Sequence, residues 1–380
     1  MDTLPCALAG RCGGCSDPAR PLAAQRADKA ARLGALLAEV GIALAPRAED
    51  LVTPAALAFR GHLDLRLEDG RLGLIGTERE VVDTERAKRE VIDMPRCEVA
   101  TPALNAWLAG LRTDLPPVPR ASLRLRVGPD GTRGLWIDCA HEHIKSLLDE
   151  ARWLARQVEA GVVVELGAKS RRVVVEPGEA RVRLGAAELA VWSTSFAAGR
   201  ALPLYTTIGG FSQPGPIANQ ALVSAVTEHV RQTSPKKVLE LGAGAGNLTL
   251  PLLSAGLAVR AVELDGAALL RSARESQLDR QLEVVAASFQ RASDVAPLVM
   301  GTDTLLADPP RQGLGVFLDG LGGLAKSLRP RAVVYVSCHP EALARDAARL
   351  TTLGYHLRSL TGIDQFPWTH HVEWLATFER

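Results

Sequence analysis

Three side chains able to do chemistry stand where apolar runs end. Cys338 closes "VVYVSCHP" (333–340), in which four β-branched or aromatic residues lead to the thiol and a proline follows. Asp308 opens "DPPRQG", where Pro309 and Pro310 remove two backbone donors and stiffen the chain just past a strand end. Glu373 lies between apolar residues in the period-two stretch "HHVEWLATF". A thiol at a strand end beside a ligand crevice is placed to act as a nucleophile, and a glutamate whose pKa burial has raised is placed to act as a general base. The bland alternatives are a core cysteine and a stray charge on an edge strand. His370 and His371 are adjacent, but no carboxylate or cysteine spacing around them suggests a catalytic metal.

A glycine loop supplies the second constellation. "KVLELGAGAGNLTLPLL" (237–253) reads as an apolar strand, a loop and an amphipathic helix; Gly242, Gly244 and Gly246 let the backbone turn tightly and approach a ligand. Such a loop alone is weak evidence, because dinucleotide enzymes carry similar ones. The next strand, "AVRAVELD", ends on Glu263, where a carboxylate can accept hydrogen bonds from a ribose diol. Together with a later strand ending "LLADPPRQGLG", this spacing favours S-adenosylmethionine over a nicotinamide cofactor.

Cysteines make the third. "CALAGRCGGC" spaces Cys6, Cys12 and Cys15 as Cys-x5-Cys-x2-Cys, with Gly13 and Gly14 to let the loop wrap, and Cys97 in "DMPRCEVATPAL" is a plausible fourth ligand. Both a tetrahedral zinc and an iron–sulfur cluster want four thiolates, and spacing does not separate them. Cys139 has no partner in the sequence and reads as packing.

These residues need elements to hold them. Ala/Leu/Arg/Lys patterning with Leu22, Leu33, Leu36, Leu37 and Val40 predicts a helix over 21–40, stopped by Gly41. From about 52 to 192 the text is strand-like with turns, alternating with period two in "LRLRV" and "ARVRLG", as antiparallel strands with one wet face do. "ATPALNAWLAGLR" and "EHIKSLLDEARWLARQVEA" read as helices within this α+β region. Its paired arginines (Arg124 with Arg126, Arg181 with Arg183), with Lys169, Arg171 and Arg172, form local basic stripes suited to phosphates, or else a solvated face of alternating charge. The Pro/Gly-dense "PLYTTIGGFSQPGPI" marks a boundary. Beyond it strands and helices alternate (strands 237–241, 258–263, 282–286, 303–307 and 331–336), the signature of a doubly wound parallel sheet whose ligand edge would carry both Asp308 and Cys338. Two domains are expected, 1–205 and 206–380, with the 21–40 helix a candidate to pack on the second.

The totals fit this. The 380 residues allow two or three domains, 47% hydrophobic and 23% charged content are ordinary, and six cysteines are too few for a disulfide scaffold. A net charge of +1 announces no nucleic-acid binder, so any basic face must be local, and 4% aromatic content argues against an extended base-stacking platform. With no apolar run long enough for a membrane span and no secretory pattern, the chain reads as a soluble cytoplasmic protein.

Taken together, the segments resemble the RNA (uracil-5-)-methyltransferases, the family that makes 5-methyluridine in tRNA and 23S ribosomal RNA, over nearly the whole chain. "DPPRQG", "VVYVSCHP" and "IDQFPWTHHVE" follow its signatures in order and spacing. The chain opens at the cysteine loop without a preceding small RNA-binding barrel, which is most similar to the compact bacterial branch acting on 23S rRNA. The resemblance implies a Rossmann-like methyltransferase domain (206–380) beside a central α+β, RNA-contacting domain with a cluster loop. It implies Cys338 as nucleophile, Glu373 as base, and Gln213, Gly242, Asn247, Glu263 and Asp308 as contacts to S-adenosylmethionine. It further implies a [4Fe–4S] cluster on Cys6, Cys12, Cys15 and Cys97, with RNA as partner and a monomeric state. Alternatives are a tRNA target, a catalytically degenerate RNA-binding iron–sulfur protein, and an iron–sulfur redox protein. Several positions depart from the family: His339 and Gly215 replace asparagines, "ELGAG" replaces "D-L-F/Y-C-G" so that Gly242 stands for an aromatic cofactor contact, and Trp368 occupies a site where a smaller polar or aromatic residue is common.

Overall fold

The computed structural model describes residues 2–76, 90–149, 151–175, 182–289 and 295–380. Two compact units emerge, both discontinuous in sequence: residues 1–21, 56–193 and 206–215 form one, and residues 22–55, 194–205 and 216–380 the other.

In chain order the second unit begins with helix α1 (Leu22–Glu39) and the short strand β1 (Leu51–Val52). The first unit follows with β2 (His62–Glu68), β3 (Arg71–Ile75), β4 (Val91–Asp93), α2 (Pro102–Thr113), β5 (Arg120–Val127) and β6 (Arg133–Asp138). Then come α3 (His141–Asp149), α4 (Arg152–Glu159), β7 (Val162–Leu166), β8 (Arg171–Val175) and β9 (Val182–Gly185). Its sheet runs β4-β3-β2-β5-β6-β7-β8-β9. The alternation in "HLDLRLE" buries Leu63, Leu65 and Leu67 and turns Asp64 and Arg66 outward, as a one-sided sheet requires. The period-two stretches in β5 and β9 pair antiparallel, as expected, whereas β6 and β7 run parallel. The reason is the intervening α3 and α4: a helical crossover returns the chain to the same end of the sheet.

Strands β10 (Ala190–Ala197) and β11 (Arg200–Thr206) pair separately. The second unit resumes with α5 (Pro216–Gln232), β12 (Lys237–Leu241), α6 (Thr249–Ser254), β13 (Ala258–Glu263), α7 (Ala267–Glu275) and β14 (Leu282–Ala286). It ends with α8 (Val295–Val299), β15 (Thr304–Ala307), α9 (Val316–Gly323), β16 (Ala332–Ser337), α10 (Pro340–Thr352), β17 (His356–Ile363) and β18 (Glu373–Glu379). The sheet order is β1-β17-β18-β16-β15-β12-β13-β14. From β14 to β16 every pair is parallel, as the alternation predicts; β18 then inserts antiparallel to both β16 and β17. Both faces of these strands are covered: all six residues of the apolar β16 are buried, and so are the first six of β18, Glu373 and Thr377 included. Tyr335, Trp374 and Phe378 fill one face, Val334, Val336 and Leu375 the other. Among the described residues no helix is long and apolar enough to cross a membrane.

Phe378 is fully buried on the central β18. Phe378→Ala is expected to cost about 3–5 kcal/mol by removing transfer energy and leaving a cavity. Denaturant-induced unfolding measures this, and a loss below about 1 kcal/mol would mean that β18 does not carry the core.

Candidate active site

The sheet topology assembles the site. β12 and β15 are neighbours whose onward connections diverge, so the crevice outside their carboxyl ends is a switch point of the kind that binds ligands in open α/β sheets. Leu241 pairs with Val262 and with Ala307, which brings the glycine loop, Glu263 and Asp308 to one edge. Ser337 pairs with Trp374 in the antiparallel β16–β18 ladder, so the register continued by one residue sets Cys338 opposite Glu373. Glu373 is itself paired with Ile363 of β17. Of the residues singled out in the sequence, Gly242, Asn247, Glu263, Asp308, Cys338 and Glu373 therefore belong to this one unit. Gln213, half-buried in the segment 206–215, belongs to the other.

Three of them share one electrostatic environment. Burial, then the Glu373 and Asp308 carboxylates, push the Cys338 thiol above its ordinary range, with Arg311 opposing. Burial, then Asp308, pushes Glu373 up to about 8. Desolvation raises Asp308 as well. Glu240, buried at the end of β12, is pushed up to about 8 by desolvation, against a 2.6 Å hydrogen bond from the Thr249 hydroxyl. Glu240 was not singled out from the sequence, where it reads only as the acidic residue ahead of the glycines.

The loop itself has the backbone its glycines allow: Gly242, Gly244 and Gly246 all have positive φ (76°, 55° and 96°). The half-buried Glu263 orders it, accepting hydrogen bonds from the N–H groups of Gly244 (2.8 Å) and Leu264 (2.8 Å) and keeping lone pairs for a diol. Asn247 exchanges side-chain hydrogen bonds with Asn219 of α5 (2.8 Å each way), so its amide anchors the loop to that helix. The departures from the family also acquire reasons. A Cβ on Gly242 would lie 3.7 Å from the Phe289 ring, so an aromatic side chain lies against the loop although position 242 has none. A Cβ on Gly215 would lie 1.6 Å from the Phe59 carbonyl oxygen, so no asparagine fits there. His339 caps α10, its Nδ1 accepting from the Ala342 N–H at 3.3 Å, which is the service an asparagine performs.

Four thiols of the first unit face one cavity. Cys6, Cys12, Cys15 and Cys97 line one small cavity with Leu4, Leu8, Leu74 and Met94. Burial and the neighbouring thiols raise Cys12 and Cys97, and push Cys15 up to about 12. Gly13 lets the loop lie on β3, its N–H donating to the Ile75 carbonyl at 3.1 Å where a Cβ would collide. Asn105 of α2, unmarked in the sequence, fixes Cys97 by accepting from its N–H (3.0 Å) and donating to its carbonyl (2.9 Å). Among the described residues no three His, Cys, Asp or Glu side chains converge closely enough to hold a single metal ion. Cys139 packs half-buried against the core of this unit.

The basic stripe of β5 is not free for phosphates. Arg124 forms a bidentate pair with Asp64 (2.5 and 3.0 Å) and donates to the Gly209 carbonyl (2.6 Å), while Arg126 is buried and donates to the Gly210 carbonyl. Period two put both arginines on the open face, as expected, but residues 206–210 return across that face and consume them. Glu165 holds the same segment by accepting the Ile208 N–H. Arg172 pairs with Glu188, Arg171 donates to the Gly185 carbonyl, and Arg181 lies outside the described residues.

The fold is that of an α/β methyltransferase. It matches the crystal structure of Pyrococcus abyssi tRNA (uracil-54, C5)-methyltransferase in complex with S-adenosyl-L-homocysteine, with a TM-score of 0.70 at 19% identity, over 97% of this chain and 86% of that one. The profile of the tRNA (uracil-5-)-methyltransferase family matches residues 281–380. Over its full length the chain is 35% identical to an uncharacterized RNA methyltransferase of Bdellovibrio bacteriovorus, spanning 96% of that protein. It is 30% identical to the 23S rRNA (uracil(1939)-C(5))-methyltransferase RlmD of Aeromonas salmonicida, across 97% of this chain and 80% of that protein. The chain belongs to the family of S-adenosylmethionine-dependent RNA (uracil-C5)-methyltransferases.

Gly215→Asn, which restores the family's residue, is expected to destabilise the first unit by about 1–3 kcal/mol or more through overpacking. Thermal or denaturant unfolding measures it; an unchanged stability would remove the steric account.

Proposed function

We propose that the protein forms 5-methyluridine in 23S ribosomal RNA, with Cys338 as nucleophile and Glu373 as base. The observation that carries this reading is the β16–β18 register, which supports a thiol and a carboxylate side by side on neighbouring strands, within reach of one small ring. The Aeromonas RlmD name supports the choice of RNA.

C5 of uracil is a poor nucleophile. Thiolate addition by Cys338 at C6 makes C5 carbanion-like. S-adenosylmethionine, when bound, supplies the electrophilic methyl that C5 accepts. The adduct keeps the former C5 proton, which Glu373 removes; elimination across C5–C6 then expels the Cys338 thiolate and restores the ring. A methyl transfer to an exocyclic amine would need neither group. The target base has to leave its stack to reach a thiol set at a strand end. Among this chain's residues, the glycine loop and Glu263 are assigned to the cofactor's nucleoside end and Asp308 to its reacting end. The first unit is assigned to RNA contact.

Cys6, Cys12, Cys15 and Cys97 are assigned to a [4Fe–4S] cluster. What supports the assignment is that the four thiols line one cavity, the four-thiolate donor set that such a cluster takes.

Three outcomes are expected. Incubation with unmodified total RNA yields methylated uridine that maps to 23S rRNA, and Cys338→Ala abolishes it; product confined to tRNA would replace the target. Turnover rises with pH through about 8, because the raised Glu373 and Cys338 both have to ionise; a rate flat from pH 6 to pH 9 would contradict these roles. Anaerobically purified protein is brown, with about four irons per chain, and Cys12→Ala bleaches it; stoichiometric zinc without visible absorption would overturn the cluster assignment.

A further inference from the structure

Helix α1 buries an unusual stripe. At a spacing of four, Leu33 and Leu37 are preceded on the same buried face by Lys29 and Gln25, which are 5% and 2% exposed. A lysine is buried only where it is paired, and the pair here is specific. Lys29 Nζ lies 2.8 Å from Asp364 Oδ1, and the two side chains are 3% and 0% exposed. Lys29 also donates to the Phe366 carbonyl at 3.4 Å.

Asp364 is the first residue after β17, immediately beyond Ile363, and Ile363 is the cross-strand partner of Glu373. It accepts further hydrogen bonds from the Thr53 hydroxyl (3.4 Å) and the Phe366 N–H (3.3 Å), and its own N–H donates to the Val52 carbonyl (2.8 Å). The buried ion pair thus sits at the base of the loop 364–372 that delivers Glu373 to the site. Gln25 holds the middle of the same loop, its Oε1 accepting the Trp368 N–H at 2.9 Å. Trp368 is fully buried with φ +69°, a backbone region that bulky residues avoid unless their surroundings impose it. Two polar residues one helical turn apart therefore grip two points of one strained loop.

We infer that Lys29 and Gln25 are positioning residues for Glu373, so that α1 sets the geometry of the proton-removal step while leaving thiolate addition and methyl transfer to the β15 and β16 edge. This rests on the reading of Glu373 as the base. Removing either grip lets the carboxylate drift, and a misplacement of about 1 Å slows a step by roughly 10- to 100-fold.

The test uses full-length Lys29→Met and Gln25→Leu proteins on unmodified total RNA, with Glu373→Gln alongside. Lys29→Met strands a buried carboxylate and can fail to fold; Gln25→Leu removes one acceptor and keeps the question open to measurement. The expected result is first-turnover methyl transfer within about 2-fold of the unmodified protein, resolution slowed roughly 10- to 100-fold, and a denaturant-stable enzyme–RNA adduct accumulating on ordinary uridine. A role confined to stability would lower the amount of active protein without accumulating adduct. If Glu373→Gln accumulates adduct while folded Gln25→Leu resolves it at the native rate, the positioning inference is overturned. An equal loss of methyl transfer and resolution overturns it too. If Glu373→Gln itself accumulates none, the base reading fails instead.

Discussion

The site depends on the register of one strand. β18 enters a parallel sheet backwards, between β16 and β17, and its first residue is Glu373. Pairing Ser337 with Trp374 sets the carboxylate beside the thiol that follows β16. A slip of one residue would turn Glu373 to the opposite face and exchange every buried side chain of β18 with it. Trp374, Leu375, Ala376 and Phe378, all fully buried, make that slip costly, so the hydrophobic core and the chemistry are fixed by the same ladder.

The cost of the arrangement is electrostatic. Glu240, Asp308 and Glu373 are all raised by burial, and each of the outer two is raised further by Asp308 between them. A carboxylate held away from water is a strong base for that reason: its proton is hard to lose, and once lost it is readily regained. The same field raises the Cys338 thiol, so nucleophile and base are each activated by ionisation against their surroundings. Neighbouring groups limit the penalty: the Thr249 hydroxyl at the Glu240 carboxylate, and the Arg311 charge near the Cys338 thiol.

Much of this was legible in the sequence because buried parallel strands and their punctuation are local features. Apolar runs ending at Gly242, Glu263, Asp308 and Cys338 mark one edge of the sheet, where the strand pairing also puts them. The cysteine spacing predicts thiolates converging on a metal; the four thiols line one cavity, and among the described residues no group of three forms a metal site. What escaped was long-range pairing. Nothing near Lys29 announces that an aspartate 335 positions away neutralises it. Arg124 and Arg126 showed the right face, but the segment that covers it lies more than eighty residues on. Gly215 reads in the sequence as a lost asparagine, and only the Phe59 carbonyl packed against it accounts for the glycine. Glu240 was hidden by its motif, since an acidic residue before a glycine loop reveals nothing of its burial.

The central claim is that Cys338 bonds to C6 of a uracil, and RNA carrying 5-fluorouracil tests it most directly. Fluorine at C5 does not leave as a proton does, so the adduct stalls after methyl transfer. Proteolysis and nuclease digestion of the trapped complex, followed by tandem mass spectrometry, should yield a methylated fluorouridine attached to the peptide containing Cys338. Attachment to another residue, or full turnover on ordinary RNA by Cys338→Ala, would contradict the account and return the thiol to the core.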